Sequence, residues 1–164
     1  MTLRAVLLVC ISVLCVSCVG AYVAPDRGSP QATLHIITNL PHATTSGWRY
    51  YADANCSDSS AVSLGAFSAM YEGQKKVQLL AGQKRYLVVK TGSRGGAPAY
   101  SCGGAVCISE KICVVEFEIT PVAGRTYQAR LLGDGYNCSV TLTDQATGAR
   151  PAEARQLATT PGCK

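Results

Sequence analysis

Cysteine usage constrains this chain more than any other feature. Nine of its 164 residues are cysteine, and three of these, Cys10, Cys15 and Cys18, sit in an N-terminal run with no charged residue from Ala5 to Ala24. The other six, Cys56, Cys102, Cys107, Cys113, Cys138 and Cys163, are spread through the remainder. The run begins after Arg4 and loses its apolar character through Ser17, Cys18 and Gly20. Basic head, apolar middle and small-residue end are the layout of a secretory export segment. Arg4 holds the N-terminus inside, so the rest of the chain is expected outside the cytoplasm. In an oxidising compartment an even set of cysteines reads as disulfides rather than as free thiols.

Three readings of the run are compatible with its residues, two of them cleavage exits. Val19-Gly20-Ala21 presents small side chains where signal peptidase reads, and cleavage there releases a soluble protein. Leu14-Cys15-Val16-Ser17-Cys18 resembles the lipobox of bacterial lipoproteins, with Cys15 where that motif prefers leucine, and makes Cys18 the expected lipidation site. An uncleaved anchor is the third, since about 20 apolar residues span a bilayer. The Cys18 exit is preferred, because a small residue followed by cysteine has a specific use there. The chain then divides into an export segment (1–21), a Pro/Gly/Ser-containing linker (22–31) and one domain (32–164).

Spacing does not fix the disulfide connectivity. Pairing Cys138 with Cys163 would clip the tail to the last strand, and Cys102 with Cys107 would close locally around Gly103-Gly104-Ala105-Val106. The rival is a metal site on Cys102-x4-Cys107-x5-Cys113. Structural zinc prefers tighter paired spacings, commonly with histidine, and the chain holds only His35 and His42. No metal and no other cofactor is therefore expected.

At 48% hydrophobic and 15% charged residues, the composition does not fit disorder. Short runs of alternating character read as strands: 32–38, 48–53, 76–81, 85–90, 113–119, 126–131 and 138–143, with 62–67 as a less distinct addition. In the clearest, Cys113, Val115, Phe117 and Ile119 alternate with Val114, Glu116 and Glu118, which places both glutamates on a solvated face. Residues 91–104 read as a long loop pinned by Cys102, and 152–157 as one or two helical turns. The fold class is all-β: a single, disulfide-stapled antiparallel sandwich of about seven strands. Barrel closure is the alternative.

One local pattern occurs twice. Leu80-Ala81-Gly82-Gln83-Lys84-Arg85-Tyr86 and Val122-Ala123-Gly124-Arg125-Thr126-Tyr127 both run strand, Ala-Gly, connection, Tyr, strand. This is the arrangement of a tyrosine corner, in which the ring is buried and its hydroxyl bonds back to upstream backbone. The export signal, the second of these turns after Phe117-Glu118-Ile119-Thr120-Pro121, and the closing Cys138-Ser139-Val140-Thr141-Leu142-Thr143-Asp144 together resemble small bacterial envelope lipoproteins. The resemblance spans roughly residues 30–145. It implies an immunoglobulin-like or transthyretin-like sandwich in the cell envelope, and it supplies no catalytic residue.

Catalytic constellations are not visible. His35 and His42 have no orienting carboxylate nearby, no Gly-x-Ser-x-Gly elbow occurs, and the Gly-Lys-Ser/Thr ending of a phosphate loop is missing. The protein is therefore expected not to be an enzyme. Lys75, Lys76, Lys84, Arg85, Lys90 and Arg94 fall in a stretch with no acidic residue, and on a hairpin they would crowd one end and edge. Such a patch suits anionic lipid, lipopolysaccharide phosphate or an acidic protein. Lysines also protect edge strands from unwanted pairing, and this structural reading is the stronger. Nucleic acid is not expected as a partner, because aromatics do not interleave with the basic residues. The expectation is thus a non-catalytic outer-membrane lipoprotein, held by its N-terminal lipid, that meets an envelope component or partner protein. The alternative is a periplasmic or secreted inhibitor or effector that docks a disulfide-held loop, residues 94–107, into a target.

Overall fold

A computed structural model of the chain describes residues 20–40, 44–68, 73–93, 99–102, 105–108, 112–133 and 137–158. Its strands are β1 (Gly20–Ala21), β2 (Gln31–Asn39), β3 (Thr44–Tyr51), β4 (Val62–Ser68), β5 (Gln74–Leu80), β6 (Arg85–Ser93), β7 (Ala99–Cys102), β8 (Ala105–Ile108), β9 (Ile112–Ile119), β10 (Thr126–Gly133), β11 (Cys138–Asp144) and β12 (Ala154–Leu157). Ten of them form two sheets, ordered β1-β4-β3-β6-β9-β12 and β11-β10-β2-β5, while β7 and β8 form a separate two-stranded sheet. The all-β sandwich read from the alternation is what the chain adopts.

The alternating residues form the interface between the sheets. Leu34 and Ile36 of β2, Val115, Phe117 and Ile119 of β9, Tyr127, Ala129 and Leu131 of β10, and Val140 and Leu142 of β11 are all buried in one cluster, with Trp48 at 0% exposure among them. Burying each large apolar side chain contributes about 1.5–3 kcal/mol, so this interface dominates the fold. Strand β4 breaks the alternation. Its register with β3 shifts between Trp48 and Arg49, and Gly65 sits at φ +152°, a conformation open to glycine. The resulting bulge lets Leu64 and Phe67, three residues apart, both face the core.

Several sequence expectations are corrected. The sheets are mixed rather than purely antiparallel, because β10 pairs parallel to β2 and β1 parallel to β4. Strand β10 lies beside β2 because the chain crosses between sheets and returns. The two Ala-Gly turns make such crossings. The first carries the chain from β5 to β6, so these strands lie in different sheets and form no hairpin. The second leads from β9 to β10. The turns are pinned to each other and to the start of β2. Gly82 N–H donates to Pro121 C=O at 2.7 Å, Ala81 N–H to Pro30 C=O at 2.9 Å, and Gly124 N–H to Gln31 C=O at 2.8 Å. Gly82 and Gly124 hold φ of +75° and +77°, which a side chain would strain.

Residues 154–157 form a strand and not a helical turn, since β9 would otherwise present an open edge and a segment this short gains more from pairing with it. Of residues 91–104, read as a loop, 91–93 instead finish β6 and 99–102 form β7. Cys138 bonds Cys113 and so is not the partner of Cys163, which lies outside the described residues. The bond joins β9 of the larger sheet to β11 of the smaller, a cross-layer link that linear spacing does not reveal. Cys56 is disulfide-bonded as well. In the hairpin, Cys102 stands opposite Ala105 and Cys107 opposite Tyr100.

The Cys113–Cys138 bond closes a loop of separation 25, for which loop-closure entropy predicts about 3.5 kcal/mol. The double variant Cys113→Ala/Cys138→Ala should lose about that much in urea unfolding. A second expectation concerns Thr91. It is buried opposite Ser46, and neither hydroxyl has a hydrogen-bond partner among the described residues. Thr91→Val keeps the shape and removes the unsatisfied group, so stability should rise by about 1 kcal/mol.

Candidate functional site

A network of mutually paired polar side chains lies beside the second Ala-Gly turn. Tyr127 opens β10 pointing into the core, and its hydroxyl accepts the Val122 N–H at 3.0 Å, which completes the expected tyrosine corner. The same hydroxyl donates to Glu153 Oε1 at 2.5 Å. Arg125 Nη1 donates to Glu153 Oε1 at 3.1 Å and to Asp144 Oδ2 at 3.3 Å. Asp144, nearly buried at the end of β11, also accepts the Ala146 N–H at 2.8 Å. One side chain thereby ties the smaller sheet to the approach of β12. Burial is the largest influence on Tyr127 and, with the Glu153 contact, pushes its hydroxyl up to about 12. For Glu153, burial is again the largest single influence and acts upward. The Tyr127 hydroxyl, the backbone and Arg125 outweigh it and hold the carboxyl below its ordinary range.

A concavity of about 460 Å³ adjoins this network, lined by Gly124, Arg125, Thr126, Asp144, Gln145, Ala146 and Thr147. Its one cation already faces two carboxylates, so the charge offered to a ligand is largely satisfied. The first turn gives no second corner. Tyr86 stands four residues after Gly82, whereas Tyr127 stands three after Gly124. One added residue reverses the facing of a strand side chain. Tyr86 accordingly packs on the outer face of the larger sheet with Tyr51, Cys56, Ala61, Val88 and Val114.

The basic residues are dispersed by the crossing at Gly82. Lys75 and Lys76 are exposed on β5, the outermost strand of the smaller sheet, where lysine discourages edge pairing. Lys84 pairs with Glu118 Oε1 at 3.1 Å, Arg155 holds the other oxygen at 3.0 Å, and these contacts lower the Glu118 carboxyl. Arg85 lies over the Tyr50 ring at 5.5 Å from its centre. Lys90 is half-buried on the outer face of the larger sheet. Burial, and then repulsion from Arg49, lowers its ammonium. Arg94, like Cys18 and His42, lies outside the described residues; His35 is half-buried on β2 opposite Lys76.

Glu116 departs most from its sequence reading. It is 2% exposed and does not sit on a solvated face. The larger sheet is six strands wide, and the loop containing Cys56 and Ala61 packs over its outer face, burying Tyr51 and Val88 beside it. The alternation correctly gave Glu116 the outer face, but width and the covering loop were not legible. That loop is organised by Asp53, whose carboxylate accepts from Ser57 Oγ at 2.5 Å, from Ser60 Oγ, and from the Asn55 N–H at 3.0 Å. These bonds, led by Ser57, hold Asp53 at about 2. No family model and no curated protein matches the chain.

Two acid-side outcomes follow. Asp53 and Glu153 are both held below their unfolded values, so each adds stability that is complete above the unfolded value. For Asp53 it is lost as the pH falls from 3.8 towards about 2, and for Glu153 below 4.5. Urea unfolding followed against pH should show stability falling through this window, with the fall reduced in Glu153→Gln. Tyr127→Phe removes the hydroxyl from both bonds and should cost about 2 kcal/mol at neutral pH.

Proposed function

We propose that the protein is a non-catalytic module of the cell envelope, exported and anchored at the outer membrane by lipid on Cys18, whose sandwich meets an envelope component or partner protein. The observation that carries this reading is the covalent stapling of the fold. Cys113 bonds Cys138 across the two sheets and Cys56 is also bonded, and such bonds persist in oxidising compartments. The export run at the N-terminus points to the same compartment. The non-catalytic part is supported by the way polar groups are employed: Tyr127, Arg125, Asp144 and Glu153 bind one another, and Glu118 is held between Lys84 and Arg155.

The β7–β8 hairpin favours a second reading. It forms a separate two-stranded sheet over Ala99–Cys102 and Ala105–Ile108, overlapping the 94–107 segment, which suits a rigid arm offered to a target enzyme by a secreted inhibitor. Metabolic labelling with a palmitate analogue separates the two. The anchored reading expects label on the protein in the membrane fraction and its loss in Cys18→Ala. Unlabelled protein in the culture medium contradicts it and favours the inhibitor.

A further inference from the structure

Residues 20–22 fasten the margins of the two sheets together. Strand β1 adds to β4 in parallel, with Gly20 opposite Val62 and Ala21 opposite Ser63, and the Gly20 N–H donates to Ala61 C=O at 3.1 Å. Strand β4 would otherwise be the outermost strand of the larger sheet. Tyr22 then reaches the outermost strand of the smaller sheet. Its hydroxyl accepts the Gln78 N–H at 2.8 Å and donates to Gln78 C=O at 3.0 Å. A single side chain thus occupies the place where a further strand would pair with β5. The ring packs against the core, and the Lys75 ammonium lies 5.9 Å from its centre.

We infer that the leader is severed N-terminal to Gly20, so that the exported protein keeps residues 20–22 as its first structural element and the exit after Ala21 is not used. Cleavage after Ala21 would remove β1 altogether and leave the open edge of β4 exposed, a liability for an exported sandwich. It would also place a new ammonium on Tyr22 and release the peptide link that sets its ring against β5. The inference rests on the proposed export through this leader. Within the lipoprotein reading the bond cut is Ser17–Cys18. A peptide-bond hydrolase adds water across it, the hydroxyl going to the Ser17 carbonyl carbon and the hydrogen to the Cys18 nitrogen.

Intact-mass and N-terminal peptide analysis of the full gene product recovered from envelopes tests the boundary. A first residue between Cys18 and Gly20 is the expected result. A chain beginning at Tyr22, or one still carrying Met1, overturns the inference. A chain beginning at Cys18 without added acyl mass upholds the boundary while ending the lipid-anchor reading, so the two fail separately. A second measurement addresses the fastening itself. In Tyr22→Phe the Gln78 amide should exchange about tenfold faster, and an unchanged rate overturns the role given to this side chain.

Discussion

Two sheets packed face to face gain most of their stability from the apolar layer between them, and that layer is only as dry as its margins. In this protein the Cys113–Cys138 bond closes one margin covalently, joining β9 of the larger sheet to the outer strand β11 of the smaller. Further along the same margin, Tyr127, Glu153, Arg125 and Asp144 repeat the connection with hydrogen bonds and ion pairs. The opposite margin is closed by residues 20–22, spanning from β4 to Gln78 of β5. Between these closures Trp48, Leu34, Leu131 and Phe117 are excluded from water. The inter-sheet disulfide also restricts the unfolded chain, so it acts on both sides of the folding equilibrium.

The repeated Ala-Gly turns explain the topology. Each carries the chain from one sheet to the other at a glycine with positive φ, and each donates a backbone N–H to a residue that begins another crossing or strand. The parallel pairing of β2 with β10 follows from this return path. The one-residue difference in spacing to the following tyrosine then decides what each turn builds. At Tyr127 the ring enters the core and its hydroxyl organises an ionic network. At Tyr86 the ring turns outward, where it covers the larger sheet together with Tyr51 and Val88.

Period-2 alternation made the strands, the buried faces of β9, β10 and β11 and the sandwich class legible, because a side chain's facing along a strand depends only on local geometry. The corner at Tyr127 was legible for the same reason. What was not legible depends on which strands become neighbours. Lys76 and Lys90 looked like parts of one hairpin patch until the crossing at Gly82 sent β5 and β6 to different sheets. Glu116 looked solvated because its cover comes from a distant loop. Cys138 looked suited to Cys163, since sequence alone does not show that β11 lies over β9. The candidate site was legible only in part: Tyr127 was singled out, whereas Arg125, Asp144 and Glu153 carried no signal beyond their charge.

The covalent link between the layers is the bond on which the closure of the sandwich depends most directly. Peptide mapping of the envelope-derived protein under non-reducing conditions, after alkylation of free thiols, reads it without disturbing the fold. A cross-linked pair of peptides containing Cys113 and Cys138 is the expected result. Alkylated Cys113 and Cys138, or a Cys138–Cys163 cross-link, would contradict it.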